Sequence, residues 1–452
     1  MKRRNTLTMV VLVVALCVAV LAACSPKGAE KDAGASDVSD ASGASGAGAG
    51  QSGSADAGAG SEASFDGTIT IGINDCLTGA GAVYGLPEVQ AMRIAIKEIN
   101  EAGGVDVDGK KMELKAIEYD NKSDPNEAVN ALRKLIDKDG VKIIAGWATT
   151  GSTMAAAQMM GGEDAMMMVA CAGELSITTQ GYPNVQRIRP PGAYTGGPCA
   201  EFLYEKGERK VAVLGQLKDS MRAQYTDEFT KKFKELGGEI VGVETFEDTD
   251  KDMYTQLTKI MKLKPDAIFI PGFVEPVAFA VSQAHELGFE GELYGFCGGS
   301  KEQFLTVLTE EQLEGLYDIL PVEGNVEALG ETAKAYDAKY SETYGENPPP
   351  NAIYGYDAIY AIKAGVEAAG TSDDIAAISK AIRTMPVAPG AGMEYMTVGD
   401  HMFDENGQCY TINIAVQWKD GERVLVKKLV SDPTAFSKYM SGLTAENKAK
   451  KQ

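Results

Sequence analysis

Residues 210–245 read KVAVLGQLKDSMRAQYTDEFTKKFKELGGEIVGVET. The short apolar run Lys210–Leu214 predicts a buried strand. Arg222–Leu236 predicts a helix, stopped by Gly237 and Gly238. Glu239–Thr245 predicts the next strand. Strand, helix, strand at this spacing is the unit of a parallel sheet with helices on its faces.

The rhythm runs outward from this unit in both directions. Downstream it predicts a helix over Tyr254–Lys264, a strand over Ala267–Ile270, a helix over Val277–Leu287 stopped by Gly288, and a strand over Glu292–Phe296. Upstream, Thr68–Ile73 alternates as a strand, and a helix from about Pro87 to Glu101 ends at Gly103-Gly104. Strands follow near Met112–Tyr119, Val141–Ala145, Met166–Ala170 and Val185–Arg189, with helices near Gly151–Met160 and Tyr194–Glu205. Asp124, Pro125 and Glu127 open another helix as cap, first position and third position. After about Ser300 the pattern turns helical, over Leu329–Tyr344, Ala352–Ala369 and Asp373–Arg383. Short strands return at Ile412–Trp418 and Val424–Lys428. Two strand–helix runs, a helical segment and late strands predict an α/β protein. Its two doubly wound parallel-sheet lobes would be joined by more than one crossing.

The amino terminus has a different logic. Lys2, Arg3 and Arg4 precede an apolar run, Leu7–Val20, which ends in Leu21-Ala22-Ala23-Cys24. This order is an export signal of the lipoprotein kind over residues 1–23, with Cys24 as lipid acceptor. An uncleaved membrane helix is the rival reading, and the run falls short of the about 20 apolar residues a span needs. Two or more acyl chains on Cys24 would hold firmly, because each buried methylene contributes about 0.8 kcal/mol. Residues 24–66, rich in Gly, Ala, Ser and Asp, carry too little apolar bulk to bury a core and read as a tether of roughly 35 Å. The expected location is therefore extracytoplasmic, held to a membrane by lipid. Losing the signal removes three cations and no acid, which takes the formal net charge from −21 to −24. Such a chain repels nucleic acid and anionic headgroups. Cys76, Cys171, Cys199, Cys297 and Cys409 have no paired spacing and read as buried thiols.

Chemical machinery is sparse. The chain holds two histidines, His285 and His401, and no H-E-x-x-H, paired C-x-x-C or G-x-S-x-G. No catalysis, metal or cofactor is expected. Gly79, Gly81 and Gly85 follow a strand and precede a helix, but their spacing departs from the dinucleotide fingerprint. Met159, Met160, Met166, Met167 and Met168 bracket a turn and read as adaptable core packing rather than a soft-ligand site.

Several stretches, in order across about Gly67 to Lys428, resemble the type I periplasmic binding proteins, in the leucine/isoleucine/valine-binding branch. They are TGAGAVYG (78–85), INEAGG (99–104), YDNKSDP (119–125), Ala145-Gly146 leading to Thr150, Phe229 with Gly237-Gly238, and Tyr356-Asp357-Ala358. The resemblance implies a two-lobed clamp with a three-crossing hinge. One lobe would be 67–190 plus 299–398, the other 191–298 plus 399–440, with a charged tail over 441–452. A solute would bind in the cleft, the lobes would close, and the closed monomer would meet an ABC permease of the branched-chain amino acid type, with no chemistry on the solute. The implied solute is a small amino acid, branched-chain or otherwise aliphatic. Urea, a short amide or a carboxylic acid on the same fold, and a solute-sensing ectodomain, are the alternatives.

The resemblance also assigns residues. Thr150, with the N–H groups near Gly151, would take the solute's carboxylate at a helix start. Glu275 would take the ammonium, although an ungapped alignment sets it one residue early and puts Pro276 in the expected place. Tyr84 matches an aromatic that packs on the solute, with Trp147 and Phe273 as neighbours, and Tyr254 matches an aromatic at a helix start in the second lobe. Cys171 aligns with a backbone contact. Gly173 stands where a second hydroxyl is expected, and Met221 where an aromatic is.

Overall fold

The computed structural model describes residues 64–321, 330–349 and 351–451. The expected signal peptide, Cys24 and residues 25–63 of the tether lie outside the described residues.

The first lobe is built on β1 (Gly67–Asp75), the hairpin β2 (Val105–Val107) and β3 (Lys110–Asp120), β4 (Ile143–Gly146), β5 (Met166–Val169) and β6 (Val185–Arg187). Their order is β2-β3-β1-β4-β5-β6, parallel except for the β2–β3 hairpin. The intervening helices are α1 (Ala82–Glu101), α2 (Pro125–Arg133), α3 (Thr150–Met159) and α4 (Ser176–Thr179). Helix α2 starts where the sequence said, because Asp124 accepts from the N–H groups of Asn126 and Glu127 at 2.8 and 3.0 Å. Helix α1 starts at Ala82, ahead of the expected Pro87. Proline at that depth leaves only the carbonyl of the solvent-exposed Val83 without an intrahelical donor.

The chain then crosses at residues 188–191 into α5 (Gly192–Lys206) and a second sheet. Strands β7 (Lys210–Gly215), β8 (Glu239–Thr245), β9 (Ala267–Pro271), β10 (Glu292–Phe296) and β11 (Tyr317–Pro321) pair in parallel. Helices α6 (Ser220–Glu235), α7 (Tyr254–Lys262), α8 (Val274–Glu286), α9 (Lys301–Phe304) and α10 (Glu310–Leu313) join them. An aromatic stack, Phe229 on Phe269 and Tyr225 on Phe296 with centroids 4.6 and 3.9 Å apart, fills the face under α6.

Helices α11 (Glu331–Tyr344), α12 (Ile353–Ala369) and α13 (Ile375–Thr384) share the core of the first sheet, where Ile353, Ile359 and Ile378 pack with Ile71 and Ile94. A small ribbon of β12 (Tyr395–Met396) and β13 (Tyr410–Thr411) follows. The hairpin β14 (Asn413–Lys419) and β15 (Glu422–Leu429) then completes the second sheet antiparallel to β11, in the order β15-β14-β11-β10-β9-β7-β8.

Three expected boundaries move. The return to the first lobe does not come at 299, because α9, α10 and β11 stay with the second sheet, where β11 is held between β10 and β14. The second lobe does not resume at 399, because Met402, Phe403 and Cys409 are buried in the first lobe's core. Of the expected charged tail over 441–452, residues 441–451 are the end of helix α14 (Pro433–Lys451). Thr444 donates to Asn406 Oδ1 at 2.7 Å and Asn447 to the Thr179 carbonyl at 3.1 Å. Residues 430–432 are thus a fourth link, carrying the chain from β15 back to the first lobe.

Candidate functional site: the cavity between the lobes

Parallel sheets put the carboxyl ends of their strands and the starts of their helices on one edge. In this chain the two edges face each other around a cavity of about 350 Å³. Its first-lobe wall comes from the turns after β1, β4 and β5, and its second-lobe wall from the turns after β7, β9 and β10.

Of the residues singled out from sequence, Tyr84, Thr150, Gly151, Cys171, Gly173, Met221 and Phe273 line this cavity. Thr150 is the first residue of α3, which has no side-chain cap, so the free N–H groups of its first turn face the cavity. Helix α8, beginning just after Phe273, also lacks a side-chain cap. Tyr84 from the first lobe and Phe273 from the second pack with ring centroids 5.5 Å apart. The Met221 side chain lies against Gly173 and Gly192, and a Cβ on either would come within 2.9 Å of it. Glycine at 173 lets the two lobes approach this closely, whereas Gly192 gives Met221 room within the second lobe.

Three expected residues lie elsewhere. Trp147 is fully buried in the core under α3. Its backbone takes φ 69, left-handed for a bulky residue, and this turns the chain from β4 toward the cavity. Tyr254 is 38% exposed and its hydroxyl bonds Glu286. Glu275 points outward from the first turn of α8, its side chain 58% exposed and 2.7 Å from Lys251 Nζ. The expected ammonium partner is therefore outside the cavity. On a helix start, a shift of one residue turns a side chain by about 100°, which is enough to face away.

The sequence reading missed the charged walls. Arg189, at the end of the first crossing, lines the cavity and donates from Nη1 to the Cys171 carbonyl at 2.9 Å. Arg222 lines it from the first turn of α6, 7% exposed, its guanidinium carbon 4.1 Å from the Phe273 ring centre. Asp219 caps α6 through the Arg222 N–H at 2.9 Å and stands 3.2 Å from Arg222 Nη1. Gln216 donates to Asp248 and accepts from the Phe273 N–H at 3.2 Å. Cys297 completes the second wall, and Asn351, just ahead of α12, lines the cavity from the first lobe. The signals were available: Arg189 stands two residues after a strand, ahead of Pro190-Pro191, and Arg222 stands three after an Asp cap.

Behind the first-lobe wall, Asp75 and Glu88 are fully buried side by side. Asp75 Oδ1 accepts from the N–H groups of Cys76 and Ala148 at 2.8 and 3.0 Å. Burial pushes the Asp75 carboxyl up to about 6 and holds Glu88 well above the usual carboxylate range. Cys297 is pushed up by burial and by the neighbouring Asp318.

A bond also crosses between the lobes away from the cavity's charged walls. The Gln224 side chain on α6 donates to Glu174 Oε1 at 2.8 Å and accepts from the Leu175 N–H at 3.0 Å. Like the Tyr84–Phe273 contact, it joins one lobe to the other.

Comparison with known proteins agrees with this geometry. The sequence pattern of the family described as periplasmic binding protein matches residues 68–422. A Pseudomonas aeruginosa protein named leucine-, isoleucine-, valine-, threonine-, and alanine-binding protein is 26% identical over 366 residues, which is 80% of this chain and 92% of the relative. Among solved structures, the leucine binding protein LivK of Thermotoga maritima MSB8 is similar with a TM-score of 0.70 at 25% identity, over 81% of this chain and 100% of that one. The branched-chain amino acid transporter substrate binding protein LivJ of Streptococcus pneumoniae, in complex with isoleucine, gives 0.67 at 26% identity, over 80% and 99%.

Proposed function

Because this chain belongs to the periplasmic binding protein family, we propose that it captures a small carboxylate-bearing solute between its lobes and delivers it unchanged to an ABC permease. The family sets it outside the cytoplasm, and the lipoprotein pattern ending in Cys24 supports a membrane tether there. The observation that carries the reading is the cavity of about 350 Å³ walled by residues of both lobes. A solute there is enclosed only when the lobes close, so closure reports capture. The uncapped start of α3 suits a carboxylate. The names of the relatives favour an amino acid with an aliphatic side chain. A carboxylic acid without an amine is the second reading, favoured by Arg189 and Arg222 on the walls and by the outward-facing Glu275.

Mass spectrometry of the small molecule released when the purified chain is denatured tests the proposal. The expected result is one stoichiometric carboxylate, which on re-addition raises the melting temperature by mass action. Release of nothing, with no stabilisation by any amino or carboxylic acid, refutes capture.

Two substitutions sharpen the site. Glu275→Gln should change solute affinity less than about twofold, since an exposed ion pair contributes about 0–1 kcal/mol and this one lies outside the cavity. A tenfold loss in calorimetry would put Glu275 back in the site. Gln224→Ala should weaken affinity about tenfold without touching the solute. It removes a hydrogen bond to a carboxylate, worth about 1.5 kcal/mol, from the closed arrangement alone. An unchanged dissociation constant would mean that this bond does not hold the closed form.

A further inference from the structure

We infer that capture draws a proton onto Asp75, the carboxyl buried beside Glu88 behind the first-lobe wall. The inference rests on the capture reading above and deepens it, by making solute affinity depend on pH.

The placement of Asp75 carries the argument. Strands β1 and β4 are neighbours, and each runs into a turn that lines the cavity. Asp75 closes β1. Its Oδ1 accepts from the Cys76 N–H in one turn at 2.8 Å and from the Ala148 N–H in the other at 3.0 Å. Ala148 lines the cavity, two residues ahead of Thr150 at the uncapped start of α3. The chain from Ala148 to Gly151 spans at most about 10 Å. A solute carboxylate held by that helix start therefore stands on the order of 10 Å from the Asp75 charge. At that range, with an effective dielectric of about 20, the new negative charge raises the proton affinity of Asp75 roughly tenfold. A zwitterionic amino acid gives a smaller rise than a simple acid, because its ammonium partly offsets its carboxylate.

The groups around Asp75 leave it open to this. Burial pushes its carboxyl up to about 6, so it is ionised at neutral pH with a proton within reach. Oδ2 meets no N–H donor among the described residues. It is the atom that takes the proton from solvent, while Oδ1 keeps both backbone bonds and the wall keeps its shape. Glu88, on α1, is equally enclosed: α12 covers it at Gly355, where a Cβ would come within 2.9 Å of Glu88 Cγ. Two carboxylates so placed do not both ionise, and Glu88 is the one held neutral. The Cys76 thiol is pushed far up by burial and by these two acids. Arg189, from the first crossing, faces Glu88 together with Cys171, whose carbonyl it bonds. Asp120, at the end of β3, is spent on the N–H groups of Leu77 and Thr78 at 3.0 and 3.2 Å.

The sign follows by linkage. A solute that favours protonated Asp75 binds more tightly when Asp75 is protonated, so affinity is greatest below about pH 6 and falls as pH rises beyond it. Neither His285 nor His401 lines the cavity. The rival proton acceptor is Asp318, also pushed up to about 6. It is buried behind Cys297 on the opposite wall and faced by Arg423.

The full chain, freed of co-purifying solute by denaturation and refolding, is titrated calorimetrically with L-leucine, L-valine, benzoate and whatever molecule denaturation released. The tightest binder becomes the probe. Its binding enthalpy at pH 6.5 is compared in phosphate and bis-tris buffers, which differ in ionisation enthalpy. At least about 0.2 proton should be taken up per probe bound, and binding should be about two- to tenfold tighter at pH 6.0 than at pH 8.0. Asp75→Asn, a neutral mimic, should abolish the uptake and bind at pH 8.0 about as tightly as the unmodified chain does at pH 6.0. A merely structural role for Asp75 predicts weaker binding by that variant at every pH. Glu88→Gln, which keeps a neutral neighbour, and Asp318→Asn should both retain the uptake. If Asp75→Asn does not fold, retention in Asp318→Asn, with growth of a protonated-carboxyl infrared band when the probe is added to the unmodified chain, carries the assignment. No uptake by the unmodified chain, or uptake lost in Asp318→Asn alone, overturns the inference and leaves capture standing. No binding of any probe, with nothing released on denaturation, overturns both.

Discussion

Arg187→Met should destabilise the chain by about 3–5 kcal/mol, the cost of breaking a buried charged network by removing one member. Arg187 is fully buried at the end of β6, just before the first crossing. Its Nε donates to Gln408 Oε1 at 2.6 Å, and its Nη1 donates to the carbonyls of Ala172, at 3.3 Å, and Glu174. Gln408 in turn donates to the Arg189 carbonyl at 2.7 Å. Burial lowers the Arg187 guanidinium to about 10, so it stays charged at neutral pH. Methionine fills much of the volume and satisfies none of these acceptors. With about 2–4 °C per kcal/mol for large domains, the melting temperature should fall by about 10 °C. A fall under about 2 °C would show that the acceptors find other donors. Because the Gln408 amide that Arg187 holds also donates to the Arg189 carbonyl in the first crossing, the same variant should also loosen the hinge and weaken solute binding.

Mild acid should stabilise the solute-free chain. Asp75, Asp318 and Asp357 are fully buried, and burial raises each from 3.8 to about 6. The native state therefore holds protons that the unfolded chain has released. By linkage, stability is greatest below about 4 and falls as pH rises through 6. Between pH 5 and 6 each such group changes stability by about 1 kcal/mol, so the three together shift it on the order of 3 kcal/mol. The melting temperature should be about 5 °C or more higher at pH 5.0 than at pH 7.5. Glu88, raised in the same direction beside Asp75, makes Glu88→Gln the variant that should flatten the slope. A chain that melts lower at pH 5.0 would mean that exposed carboxylates held low, such as Asp120, dominate.

The alternation of strands and helices was legible because both signals are local. Gly237, Gly288 and the Asp124–Glu127 start are read within a turn of the chain. The strand β11 was not legible. Its short run of five residues is an ordinary apolar stretch, and only its place between β10 and β14 makes it a strand. Helix α14 was hidden for a related reason. Few of its residues are buried, among them Ser437, Met440 and Thr444, so no apolar stripe marks it.

At the site, Thr150, Tyr84 and Phe273 stand at strand ends or helix starts, and they line the cavity. Glu275 failed because one residue of offset in a first helical turn decides which way a side chain faces. Arg187 and Gln408, 221 residues apart, and Glu174 and Gln224, on different lobes, meet only in three dimensions.

None of the five cysteines among the described residues is in a disulfide, and all are buried. Oxidation is therefore no requirement of this fold, which can be produced and handled in reductant. Their positions also sort them. Cys171 and Cys297 stand on opposite cavity walls, whereas Cys76, Cys199 and Cys409 are fully enclosed. A maleimide would meet the first two whenever the halves part and the other three only when the chain melts. The molecule carries two intrinsic clocks, one for breathing and one for collapse, and a filled cavity should slow the faster of them.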